Sequence, residues 1–192
     1  VKLKNGDYKT TINKCTFMNG KSDGVQLEDS MYRANITNSV FVNLDKDGLK
    51  GEVMALYVDN CRFENLGDEG IQMLEATLIA KNLTITDFDG TGIKADLMTG
   101  IVHIENVTIT NGIDDAFQVS SGKEIVIKDS LFSGSDENGF ETDHTGPITI
   151  ENSEFRDNDI HGLELVNITD ISITDSIIDG NSNYGIYASF KK

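Results

Sequence analysis

Carboxylates crowd one part of this chain. DDAFQVSSG (residues 114–122) carries Asp114 and Asp115, and ENGFETD (137–143) brings Glu137, Asn138, Glu141 and Asp143. His161 and Glu164 follow 23 residues after Asn138 and Glu141. Such a group has several chemistries open to it. Hard oxygen donors from neighbouring segments can assemble the six to eight ligands that Ca²⁺ takes. Two carboxyls ~5 Å apart, such as Glu141 and Glu164, can divide the roles of retaining glycoside hydrolysis. Carboxylates that close also repel, so their pKa values rise or a cation settles between them. The plainer role is a turn, because Asp and Asn before Gly tolerate left-handed backbone and bond their own main chain. Zn²⁺ is not indicated. It needs three or four converging ligands, whereas His103 stands outward in a strand and His144 and His161 sit at separate turns.

Positions so far apart meet only if the chain repeats. It does, when cut at a recurring Gly before an apolar residue: Gly24, Gly48, Gly70, Gly92, Ala116, Gly139, Gly162 and Gly185, spaced by 22 to 24 residues. Each unit carries a second segment, from INKCTF and ITNSVF to IENSEF and ITDSII. Both segments alternate with period two, as half-buried strands do, and neither has a helical period. A coil of this length built only of strands and turns predicts an all-β fold. It is a single-stranded parallel β-helix, a solenoid of about eight coils, forming one domain over 1–192.

Stacked coils turn every repeat position into a column with ~4.8 Å between rungs. Phe17, Phe41, Phe63, Ile85, Ile109, Phe132, Phe155 and Ile178 form one inward column, and the residues from Ile12 and Ile36 to Ile150 and Ile173 form another. Lys14, Asn38, Asn60, Asn82, Asn106, Asp129, Asn152 and Asp175 form a turn ladder, with amides bonding from rung to rung and sparing buried backbone groups. Cys15 and Cys61 share a column two rungs apart, beyond the ~7 Å reach of a disulfide, and are expected as buried free thiols filling apolar space. Four N-x-T sequons, at Asn35, Asn82, Asn106 and Asn167, are read as products of the repeat, with the two ladder members inaccessible.

The outward column of the Gly-led strand reads Gln26, Lys50, Gln72, Lys94, Gln118, Glu141, Glu164 and Tyr187, and the residue before each Gly reads Asp23, Asp47, Glu69, Thr91, Asp115, Asn138, His161 and Tyr184. The acids therefore gather in coils five to seven. A formal charge of −16, from 32 acidic and 16 basic residues, argues against nucleic acid or an anionic membrane as partner, because phosphate binding needs Lys and Arg. It suits cation binding. No apolar run approaches the ~20 residues of a membrane span. The opening VKLKNGDYK lacks the apolar region of a signal peptide, as expected after processing.

The two-segment coil, the Asn ladder and the stacked Phe and Ile resemble the right-handed parallel β-helix of the pectate-lyase-like superfamily over residues ~8 to 190. That resemblance implies a secreted or cell-surface protein whose partner is a polysaccharide, in all expectation an acidic one. DDAFQVSSG and ENGFETD resemble the calcium motifs of the pectate lyases. Asp115, Glu137, Asn138 and Glu141 would then be ligands, with Asp114 and Asp143 completing the metal set. Two of the Asp expected by that likeness are Glu and one is Asn. The expected base is missing, since no Lys lies between Lys128 and Lys191. Lys94 or Arg156 would replace it only by a different geometry. DDAFQV also resembles the polygalacturonase-type motif, with Asp114 and Asp115 as acid and base. That pattern asks for Asp where this chain has Thr91, and for His-Gly one coil before His161-Gly162.

Glu164, His161 and Tyr187 are the expected substrate contacts, with Tyr184 and Tyr187 as ring platforms. The activities that follow are Ca²⁺-dependent β-elimination on a polyuronide such as pectate or alginate, or non-catalytic binding of the polysaccharide. The alternative is a structural or adhesin-type surface solenoid without catalysis. Uniform coils leave no long loops for a cleft wall and no visible capping helix, so the ends of the stack are expected to self-associate or to continue in a longer chain.

Overall fold

The computed structural model describes residues 1–4, 9–74, 77–96, 99–143 and 146–190. Among these there are two parallel sheets, one of nine strands and one of thirteen, and no helix. Each coil contributes one strand to the nine-stranded sheet and then one bent strand, or two short ones, to the other. Ile71–Leu74 is followed by Thr77–Phe88, and Ile93–Asp96 by Ile101–Gly112. The coils wind right-handed, as crossovers between parallel strands do.

The register is the one the repeat predicts. Phe17 pairs with Phe41, Phe41 with Phe63, Phe63 with Ile85, Ile85 with Ile109, Ile109 with Phe132 and Phe132 with Phe155. The rings of Phe41 and Phe63 stack 4.6 Å apart and those of Phe132 and Phe155 4.9 Å apart. Ile36, Val58, Ala80, Ile104, Ile127 and Ile150 form the second buried column. The glycine column exists because the wall runs too close to this core for a side chain. A Cβ at Gly48 would lie 2.5 Å from Phe63 Cδ1 and 2.7 Å from the Gly70 carbonyl oxygen.

Two corners of each coil are made by left-handed residues. The first corner is the predicted ladder, with φ from 48° to 55° at all eight positions from Lys14 to Asp175. The second, which the sequence reading missed, runs Asn19, Asn43, Asn65, Asp87, Asn111, Gly134, Asp157 and Gly180. Asn, Asp and Gly recur there because other side chains clash in this backbone region, at roughly 1–2 kcal/mol per residue. The ladder bonds form as expected, for example Asn60 Nδ2 to Asn38 Oδ1 at 2.7 Å and Asn106 Nδ2 to Asn82 Oδ1 at 2.7 Å. The expected reason is corrected, however. The ladder is exposed, so backbone handedness and not burial selects it, and Asn82 and Asn106 are accessible after all.

The cysteine column also differs from expectation. Both thiols are free, but Cys15 is half-buried. Cys61 is no mere filler. Its Sγ accepts from the Ser39 N–H at 3.4 Å and donates to the Asp59 carbonyl at 3.3 Å. Ser39, Ser130, Ser153 and Ser176 make the same pair of bonds in their own coils. A third interior column changes character along the axis. It is apolar at Leu44, Leu66 and Phe88, passes through Gly112, and becomes Ser135, Asn158 and Asn181. A Cβ at Gly112 would overlap the Phe88 ring.

Candidate functional site

The nine-stranded sheet presents a flat outer strip. Its register aligns Gln26, Lys50, Gln72, Lys94, Gln118, Glu141, Glu164 and Tyr187 on successive rungs. Beside it runs the column that precedes each glycine. The sequence reading made that column a row of left-handed turn residues, and the structure corrects this. None of its members has positive φ, and Asp47, Glu69, Thr91, Asp115, Asn138 and His161 are all buried. Their side chains form an internal ladder to the backbone of the next coil. Asp47 Oδ1 accepts from Glu69 N at 3.2 Å, Asp115 Oδ1 from Asn138 N at 2.9 Å, Asn138 Oδ1 from His161 N at 3.1 Å, and His161 Nδ1 from Tyr184 N at 3.2 Å. These bonds satisfy buried N–H groups, each costly to leave unmet.

The predicted acids converge in coils five to seven. Carboxylate oxygens of Asp114, Asp115 and Glu137 lie within 4.8 Å of one another. Gln118 Nε2 donates to Glu141 Oε1 at 3.0 Å and to Asp115 Oδ2 at 3.5 Å. Asn138 Nδ2 donates to Glu141 Oε2 at 3.3 Å and to Glu164 Oε2 at 3.2 Å, tying those two carboxylates to one amide. Thr91 Oγ1 donates to Asp114 Oδ2 at 3.1 Å. Burial, and then the charge of Glu141, push the Asp115 carboxyl up to about 8. Glu137 is raised in the same direction, by burial first and then by Asp114. Among the described residues no Lys or Arg forms an ion pair with any of these five acids.

Other expected site residues fall elsewhere. Asp143 is exposed, two positions along the strand from Glu141, and accepts from Asn167 Nδ2 at 2.7 Å, outside the three-acid group. Lys94 is on the strip, but its ammonium lies 3.8 Å from Glu69. Arg156 is on the thirteen-stranded sheet, paired with Glu154 at 3.1 Å, so the fold places it away from the acids as a base candidate. His103 stands on that same sheet, 3.2 Å from Glu105. His144 lies outside the described residues. His161 is not a free turn residue, because its ring packs against both Tyr184 and Tyr187, 5.4 Å from each centroid. Both tyrosines are about half exposed, at 55% and 44%.

A second acidic group, Asp47, Asp68 and Glu69, was not singled out from the sequence. Burial raises all three carboxyls. Here Lys50 and Lys94 supply the counter-charge, each 3.8 Å from a carboxylate. The acids of this second group are the residue before Gly48 and the two residues before Gly70, whereas Asp114 and Asp115 precede Ala116 and Glu137 lies two before Gly139, so the two groups draw on different repeat positions.

A family model described as right handed beta helix region matches residues 1–97 and again 69–192, so the two matches together span the chain. No curated protein and no solved structure matches it.

Proposed function

This chain belongs to the right-handed beta-helix family, and from that premise we propose that it is a secreted or surface protein that binds a polysaccharide along the outer strip of coils five to eight, with Ca²⁺ at the acids. The observation that carries the reading is a juxtaposition. Five carboxylates with no basic partner among the described residues, Asp114, Asp115, Glu137, Glu141 and Glu164, adjoin the His161–Tyr184–Tyr187 stack on the same face. Glu164 and Tyr187 are direct neighbours across the sheet. Aromatic faces beside amides and carboxylates suit a sugar ring, which offers an apolar face and a rim of hydroxyls.

The donor set fits Ca²⁺, which prefers hard oxygen ligands from several segments. Asp115 Oδ1 is engaged by a backbone N–H, so Oδ2, which takes only a long bond from Gln118 Nε2, would hold the ion with oxygens of Asp114 and Glu137. The cation would neutralise an acidic chain's carboxylates, which this surface otherwise repels. Binding is favoured over β-elimination because the nearest Lys of the strip, Lys94, is engaged with Glu69, and among the described residues no basic side chain pairs within the acid group. An adhesin-type role is supported by the uniform coils, which among the described residues raise no cleft wall around the strip.

The test is a calorimetric titration with Ca²⁺, then with pectate and alginate in Ca²⁺ and in chelator, with ultraviolet absorbance followed for unsaturated uronate. Ca²⁺-dependent binding without absorbance is expected, and Asp114→Asn with Glu137→Gln should abolish it. A rise in absorbance would establish the lyase instead. Binding of neither metal nor polysaccharide would leave the adhesin-type reading.

A further inference from the structure

The thirteen-stranded sheet carries a separate site of opposite sign. Arg33 begins the strand Arg33–Thr37 and lies beside Lys9 on the next rung. Its guanidinium carbon stands 4.0 Å from the centroid of the Tyr57 ring, and its Nε donates to Asn35 Oδ1 at 3.0 Å. Stacking and this one bond fix the plane and the roll of the group. Neither uses the two terminal nitrogens, the part of the fork that grips an oxyanion.

The other two arginines are satisfied, Arg62 by Glu64 and Arg156 by Glu154. Arg33 alone among them has no carboxylate partner among the described residues, in a chain with 32 acidic side chains. It opens on a cleft of about 190 Å³ lined by Tyr32, Arg33, Met54, Ala55 and Tyr57, with no acid in the wall among the described residues. Tyr32 and Met54 are the exposed rim, at 55% and 57%. The cleft thus joins a held cationic fork to the exposed side chains of Tyr32 and Met54.

We propose that this cleft binds the carboxylate or phosphate group of a small ligand with a flat apolar body, the oxyanion on Arg33 and the body against Tyr32 and Met54. The site is on the other sheet from the acidic strip and does not depend on the polysaccharide reading. A cation fixed by stacking loses little freedom on binding, and a bidentate pair has a directionality that a lysine cannot supply.

Benzoate and phenyl phosphate serve as probes, with benzamide as the uncharged control, read by chemical shifts of the Arg33 and Tyr57 signals during titration of the full chain. Saturable shifts are expected with one or both anions and not with benzamide, and the stronger anion identifies the group preferred. Arg33→Lys keeps the charge and loses the fork; it should weaken binding about tenfold, as should Arg33→Gln or more so. A thermal melt of each variant confirms folding. The proposal is overturned if neither anion saturates, if benzamide binds as well, or if folded Arg33→Gln binds like the parent. In those cases the Arg33–Tyr57 stack is only a packing contact.

Discussion

Replacing Asp115 by Asn isolates the cost of burying that carboxyl. The group titrates near 8 in the folded chain, against an ordinary value of 3.8. Between those values the folded state holds a proton that the unfolded chain has released. The stability this supplies is therefore complete below about pH 4 and is lost as pH rises through 8. Each pH unit inside the window is worth about 1.36 kcal/mol. From pH 5 to pH 7 the parent should lose about 3 kcal/mol relative to a variant without the group. Asn is the right probe because Asn138, one rung on, already accepts a backbone N–H through its amide oxygen as Asp115 does. The internal ladder should survive the change. Urea unfolding of both proteins in chelator at pH 5, 6, 7 and 8 gives the difference directly. Asp115→Asn should lie nearest the parent at pH 5 and exceed it increasingly toward pH 8. A difference that stays constant over this range would refute the assignment of a proton to buried Asp115.

Three further expectations concern the scaffold. Phe63→Ala removes a ring stacked 4.6 Å from Phe41 and should cost about 3–5 kcal/mol, seen as a fall of roughly 6–20 °C in melting temperature. Asn60→Ala puts a Cβ-bearing residue without a helpful amide at φ 51° and breaks a 2.7 Å ladder bond; urea unfolding should show a loss of about 1–2 kcal/mol, with Asn60→Gly largely sparing it. Cys61→Ser should change stability by under about 1 kcal/mol, since serine makes the same two bonds elsewhere in the column, whereas Cys61→Val strands the Ser39 N–H and should cost about 1–3 kcal/mol in the same assay.

The period and the apolar alternation carried the architecture, because a solenoid makes sequence separation and vertical contact nearly the same thing. That is why Phe63, Ile109 and Phe155 could be placed from the sequence, and why Asp114, Asp115 and Glu137 could be brought together. Side-chain direction at the turns was less legible. Asp115 precedes Ala116, which stands at the glycine position of its coil, and Asn138 precedes Gly139; the same letters serve an exposed left-handed turn or an inward bond to the next coil. Only backbone angles distinguish the two. The ladder from Asn38 to Asp175 was read correctly as a column and wrongly as buried, because hydrogen bonding between stacked amides does not reveal which side of the wall they occupy. The Asp47, Asp68 and Glu69 group escaped notice because its acids are interleaved with lysines in sequence. Arg33 on Tyr57 escaped because cation and ring stand on neighbouring rungs, at neighbouring but not equivalent repeat positions.

The change in the third interior column, from Leu44, Leu66 and Phe88 to Ser135, Asn158 and Asn181, gives the rod two unlike halves. Early coils are held at that corner by the expulsion of water, a force that weakens on cooling, and later coils by mutually dependent bonds among amides and main chain. Gly112 is the junction where an aromatic ring ends one regime. In a molecule whose coils touch only their neighbours, unlike cohesion of this kind lets the two halves answer differently to temperature and cosolvent. The acidic strip of coils five to seven sits across and just past that junction, so a cation drawn to its surface would act on the half of the rod whose third corner is held by polar contacts.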